Sequence, residues 1–144
     1  MTETVVHDRL NDLLVNLGRS LLQYTLEAGP WTVELDVCEL RPVVERLATN
    51  QRHSVQRLAE FLDAAGAPVD FGIYPDEYTS LHYVSLNYLL QQLLAAQQSL
   101  VAECEQAARE LAHDEEALAL VQEILAGGQS APAGLSAALQ RATQ

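Results

Sequence analysis

The chain has no lysine. Its 8 basic residues, all arginine, face 20 acids over 144 residues, for a formal charge of −12. A surface of that sign repels a phosphate backbone, which argues against a nucleic-acid partner. The missing lysine removes Schiff-base chemistry and the lysine of a phosphate-binding loop, and no glycine-rich loop stands in for it. Cysteine is also scarce. Cys38 and Cys104 lack C-x-x-C spacing, so no disulfide framework is expected; both read as free thiols, with Cys104 filling core space. Long apolar runs are absent: the stretch 88–94 is too short, and too interrupted by glutamine, to cross a bilayer. Polar Thr2, Glu3, His7, Asp8 and Arg9 precede any apolar segment, so neither a secretory leader nor membrane association is expected, and the predicted location is cytoplasmic.

The residues present are 49% apolar, enough for one domain spanning 1–144 with its own core. Their spacing is helical throughout, which gives an all-α class with helices at about 3–28, 40–65, 80–113, 115–126 and 131–142. In the first, Val6, Leu10, Leu13, Leu14, Leu17, Leu21, Tyr24 and Ala28 share a face, with Glu27 at its flank, and Gly29-Pro30 ends it. Residues 31–39 form a connector or the opening turns of the next helix, with Trp31 covering the end of the core. Pro42 suits a first turn. The fourth helix takes Asp114 as N-cap, with Glu115 and Glu116 favourable to its dipole, and a stripe of Leu118, Val121 and Leu125. Gly127-Gly128 breaks it, and a short last helix carries Leu135 and Leu139.

The informative stretch is the second helix, where Leu40, Val44, Leu47, Leu58, Phe61, Leu62 and Ala65 form an inward stripe interrupted by Gln51 and Ser54. Asn50 lies at the edge of that stripe and His53 points away from it, so register argues against a metal-ligand role for His53. The third helix, with Leu86, Leu90, Leu93, Leu100, Cys104, Ala107 and Leu111 inward, places Gln97 at the centre of its stripe. A buried carboxamide without a partner costs about 1–3 kcal/mol. Pairing of Gln51 with Gln97, joined by Ser54 and the hydroxyl of Tyr24, resolves that cost. His7, His53, His82 and His113 are dispersed, without the i, i+3 or i, i+4 pairing that puts two imidazoles on one metal. No Cys-His or Ser-His signature is present, so no catalytic residues are assigned.

Between the second and third helices, residues 67–80 contain two prolines, a glycine and three aromatics. Fourteen extended residues reach roughly 46 Å, against roughly 39 Å for the length of the helix before them, whereas a simple reversal needs only about 2–8 residues. The expectation is a crossover along a bundle that leaves helices 2 and 3 parallel, with Phe71, Tyr74 and Tyr78 packed on its side; a mobile lid is the other reading.

Long amphipathic helices in this order, with the long connection between the second and third, resemble the ferritin-like four-helix bundle of ferritins, rubrerythrins and related bacterial proteins. The resemblance covers nearly the whole chain and rests on layout. It implies a di-iron site with one Glu from each of two helices and a Glu-x-x-His pair from each of the others. Those positions fall here on Gln51 and Ser54, on Gln97, on Leu21 and Tyr24, and on residues 128–131. Tyr24, Gln51, Ser54 and Gln97 are thus an interior polar cluster at degenerate di-iron positions. Neutral amides and hydroxyls supply no charge to a hard cation, so neither metal nor cofactor is expected.

The resulting expectation is a non-catalytic structural or protein-interaction module, no enzyme by its residues, and a homodimer through Tyr83, Val84, Tyr88 and Leu120. The alternative is a ferritin-like di-metal oxidase or storage protein using displaced ligands among Glu27, Glu34, Glu45 and His53. A further reading is small-molecule binding in a polar pocket near Gln51 and Gln97.

Overall fold

The computed structural model describes residues 2–28, 35–36, 39–82 and 84–142. Trp31, Glu34, Cys38 and Tyr83, all given roles above, lie outside the described residues. The described chain is all-helical: α1 (Glu3–Gly18), α2 (Leu21–Ala28), α3 (Arg41–Ala64), a short 3-10 helix (Asp76–Leu81), α4 (Leu86–Glu110), α5 (Glu115–Gly128) and α6 (Ala131–Ala142). No described helix is long and apolar enough to cross a membrane.

Local chemistry sets most of these boundaries. The Thr2 hydroxyl accepts from the Val5 amide to start α1, and Ser85 and Asp114 cap α4 and α5 by accepting from Tyr88 and Ala117. Pro42 sits in the first turn of α3. At its other end Gly66 takes φ 73°, while the amide of Ala67 reaches the Leu62 carbonyl at 2.9 Å. That is the closure a left-handed glycine permits.

Several expectations need correction. The first helix is not continuous to residue 28: it stops at Gly18 and restarts at Leu21. Gly18 is a poor helix former and Ser20 a good N-cap, so a new start competes there with continuation. The third helix begins at Leu86, because Ser85 caps it and residues 76–81 wind as a 3-10 turn. Conversely, α5 runs on through Gly127 and Gly128, ending with the Gln129 amide on the Leu125 carbonyl at 3.0 Å. Its buried stripe is Ala117, Leu120, Val121 and Ile124, one position round from the expected one. Leu120, expected at a dimer surface, is therefore a core residue.

Packing divides the interior into two apolar cores. One gathers Leu10, Leu13 and Leu14 of α1, Leu58 and Leu62 of α3, Cys104 and Ala107 of α4, and Val121 and Ile124 of α5. The other gathers Leu22 of α2, Val44 and Leu47 of α3, Leu89, Leu90 and Leu93 of α4, and Leu135 and Ala138 of α6. Thus α3 and α4 each pass through both cores, whereas α1 and α5 serve the first and α2 and α6 the second.

The connection from α3 to α4 lies along α1 and α2. The Asn11 side chain donates to the Asp70 carbonyl and accepts from the Asp70 amide, at 3.0 and 2.9 Å. Arg19 Nε donates to the Gly72 carbonyl at 3.1 Å. Gly72, at φ 69°, passes so close to α1 that a Cβ there would lie 2.6 Å from Val15 Cγ1. Further along, Tyr74, Tyr78 and His82 gather round Tyr24, with ring centroids 5.2, 5.4 and 5.6 Å from its own. The Arg19 guanidinium stacks over Tyr74 at 5.0 Å. Nearer the start of α1, Arg9 ties that helix to α4 through Glu103 at 3.2 Å and Glu110 at 2.7 Å.

Candidate functional site

Between the two cores lies a layer of buried polar side chains, placed there by the break after α1 and by the midpoints of α3 and α4. Its members are Ser20, Gln23, Gln51 and Gln97, each at most 7% exposed. The Ser20 hydroxyl donates to Gln51 Oε1 at 2.7 Å, and Gln23 Nε2 donates to the same oxygen at 2.9 Å. Gln23 Nε2 also donates to the Ala48 carbonyl at 2.8 Å. Gln51 Nε2 then faces Gln97 Oε1 at 3.5 Å.

The orientation of every amide in this chain follows from its first member. A backbone carbonyl only accepts, so the end of Gln23 that meets Ala48 must be its nitrogen. Gln51 must then turn its oxygen toward Gln23 and Ser20 and its nitrogen toward Gln97. Gln97 in turn presents oxygen to Gln51, which leaves its own nitrogen at the far end. Gln97 Nε2 is buried and has no hydrogen-bond partner. The layer is a directional relay that ends in an unused donor.

That donor belongs to a side chain lining a cavity of about 40 Å³ between α3, α4 and α5. Gln51, Gln97, Leu47, Val101, Cys104 and Gly127 contribute to its wall, and no charged residue does. Burial, with the Glu103 carboxylate acting in the same direction, pushes the Cys104 thiol up to about 11. At neutral pH it is a protonated, weakly nucleophilic thiol.

Of the four residues assigned to the interior cluster from the sequence, the structure brings Gln51 and Gln97 together and leaves two aside. Tyr24 is half-buried, and its hydroxyl pairs with His82 Nε2 under the connection. The restart of the helix at Leu21 turns Gln23 inward in its place. Ser54 is half-buried at the cavity rim, where its hydroxyl donates to the Asn50 carbonyl at 3.4 Å. Ser20 and Gln23 are the members that sequence reasoning missed. Their signal was present: Ser20-Leu21-Leu22-Gln23 has the S-x-x-Q spacing of a helix start.

The displaced acids and histidine do not converge. Glu27 and His53 are exposed, and Glu45 faces Arg41 at 3.9 Å on the surface. Among the described residues, no group of three His, Cys, Asp or Glu side chains is placed to hold one ion. A second polar feature is the Tyr24 cluster. Burial, with the nearby Glu27 carboxylate acting in the same direction, pushes the Tyr74 phenol up to about 12.

Compared with protein-family models, with curated proteins and with solved structures, the chain matches none.

Proposed function

We propose that the chain is a non-catalytic four-helix bundle of ferritin-like layout, with neutral amides occupying the level where that family holds its metals. In this reading α1 with α2, α3, α4, and α5 with α6 form the four columns. Residues 65–85 are the crossover between two parallel helices. Support for that arrangement comes from the N-terminal halves of α3 and α4 sharing one core and their C-terminal halves the other.

The observation that carries the proposal is the relay itself. Its side chains are neutral, its amide oxygens accept from the N–H and O–H groups of the same layer, and a hard cation needs anionic oxygen donors that the layer does not offer. Function then rests on the outer surface, as a structural or protein-interaction module acting as a homodimer. Tyr88, 45% exposed at the start of α4, with Phe71 and Ile73 at 50% and 85% on the connection, are large apolar side chains open to such a partner. Val84 packs against the second core and contributes at most an edge.

Two measurements test this. Elemental analysis of protein grown with added iron and manganese should find neither metal at stoichiometric levels; tight stoichiometric metal would transfer the chain to the oxidase or storage class. Sedimentation at micromolar concentration should find a dimer that Tyr88→Glu and Ile73→Glu weaken. A monomeric native chain would remove the dimer from the proposal.

A further inference from the structure

The geometry points to a one-electron redox site at Tyr24: an oxidising radical takes an electron from its phenol while the phenol proton passes to His82 Nε2. This goes beyond the structural reading above and does not depend on it. The contact that carries it is direct, because the Tyr24 hydroxyl and His82 Nε2 are hydrogen-bonded under the connection. In the tautomer with its hydrogen on Nδ1, the imidazole presents the Nε2 lone pair to the phenol O–H. A phenol that loses an electron becomes strongly acidic. A base already on its hydroxyl therefore lowers the cost of oxidation by taking the proton in the same step.

The neighbouring phenols lack that arrangement. Tyr74 and Tyr78 stand with ring centroids 5.2 and 5.4 Å from that of Tyr24, close enough to pass an electron to or from it. The base near Tyr74 is the Glu27 carboxylate, weaker than an imidazole by about two units in their ordinary values. The Arg19 guanidinium, 5.0 Å over the Tyr74 ring, also opposes positive charge there. At Tyr78 the backbone group within reach is the Leu21 amide, a donor that cannot take a proton. Within the cluster the electron deficiency therefore settles on Tyr24. Oxidant meets the cluster through Tyr78, which lines the surface groove between α2 and α4 beside Leu21 and Leu81. With a peroxyl radical as oxidant, the radical accepts one electron and leaves as peroxide anion, which solvent protonates. Tyr24 becomes a neutral phenoxyl radical and His82 an imidazolium. A one-electron reductant of the ascorbate class returns the electron, and His82 returns the proton.

The test is flash oxidation of the full chain by photogenerated tris(bipyridine)ruthenium(III), with the radical followed by transient absorption and by electron paramagnetic resonance of frozen samples. A tyrosyl radical should form, and Tyr24→Phe should lose it. His82→Gln keeps a neutral hydrogen-bond partner but a far weaker base. It should slow radical formation about 10²-fold, the low end of what a positioned base contributes. In His82→Ala, added imidazole should restore part of the rate, which a merely structural histidine would not allow. Circular dichroism selects the variants that fold, and either histidine variant suffices for the comparison. A radical of unchanged yield in Tyr24→Phe, a radical on tryptophan or on Tyr88 in the native chain, or a rate indifferent to His82 would overturn the assignment.

Discussion

Replacing Gln51 and Gln97 one at a time with leucine should give unequal costs, because the two amides occupy unequal places in the relay. Gln51 Oε1 accepts from both the Ser20 hydroxyl and Gln23 Nε2, at 2.7 and 2.9 Å. Gln51→Leu strands the Ser20 hydroxyl and one hydrogen of Gln23 Nε2, whose other hydrogen stays on the Ala48 carbonyl. At about 1–3 kcal/mol per stranded group, with the hydroxyl at the low end because it can turn to a backbone carbonyl, the loss comes to about 2–4 kcal/mol. Gln97→Leu removes a donor that has no partner and an acceptor used only at 3.5 Å. It relieves one buried polar group while exposing Gln51 Nε2 to a similar deficit, so its net effect should lie within about 1 kcal/mol of zero. Urea unfolding followed by circular dichroism separates the cases. With a slope of about 2 kcal/mol/M, Gln51→Leu should lower the midpoint by about 1–2 M and Gln97→Leu by at most about 0.5 M. Equal costs, or a larger cost for Gln97→Leu, would refute the directional relay.

Other expectations follow from the contacts that surround the layer. Gly72→Ala should destabilise by about 2–4 kcal/mol, since it combines a left-handed φ with a Cβ 2.6 Å from Val15; adding Val15→Ala should recover the steric part and leave about 1–2 kcal/mol of backbone strain, measured as a double-mutant cycle. Arg9→Met should cost about 1–2 kcal/mol at low salt and less at high salt, because Glu103 and Glu110 are partly solvated. The Arg9 hydrogen bond holds Glu110 below the usual carboxylate range, so its contribution is present at neutral pH and is lost as pH falls through that depressed value; thermal melts of Glu110→Gln should be flatter in acid. Folding raises Cys104 to about 11 and Tyr74 to about 12, so the stability they confer is complete below their ordinary values of about 9 and 10 and declines as pH rises through the folded ones. Cys104→Ala with Tyr74→Phe should flatten that alkaline decline in melting temperature.

The all-helical class and the inward positions of Gln51 and Gln97 were legible because α3 and α4 are long, uninterrupted and strongly periodic. In such segments a residue's angle around the axis is fixed by counting from its neighbours, so Leu47, Gln51, Leu58 and Leu62 all fall where the spacing puts them, buried. Counting fails once a helix restarts. The break at Arg19 and Ser20 resets the phase, and α2 buries Leu21, Leu22, Gln23 and Thr25 in place of the Leu21, Tyr24 and Ala28 that an unbroken helix would bury. Tyr24 leaves the layer for that reason and becomes free to receive Tyr74, Tyr78 and His82 from the connection.

The same break explains why the layer holds together at all. In a continuous first helix the amide of Gln51 would face only Gln97, and two isolated carboxamides offer each other at most one good hydrogen bond in this geometry while burying four hydrogens. Interrupting the helix at the level of Gln51 turns Ser20 and Gln23 into the core and brings their donors to Gln51 Oε1, anchored in turn on the Ala48 carbonyl. The hydrogen bonds shorten from 3.5 Å at the Gln97 end to 2.7–2.9 Å at the anchored end. Rigidity is thus concentrated on the side of α2, where Gln51 Oε1 holds two donors, and the loosest contact of the layer lies at Gln97.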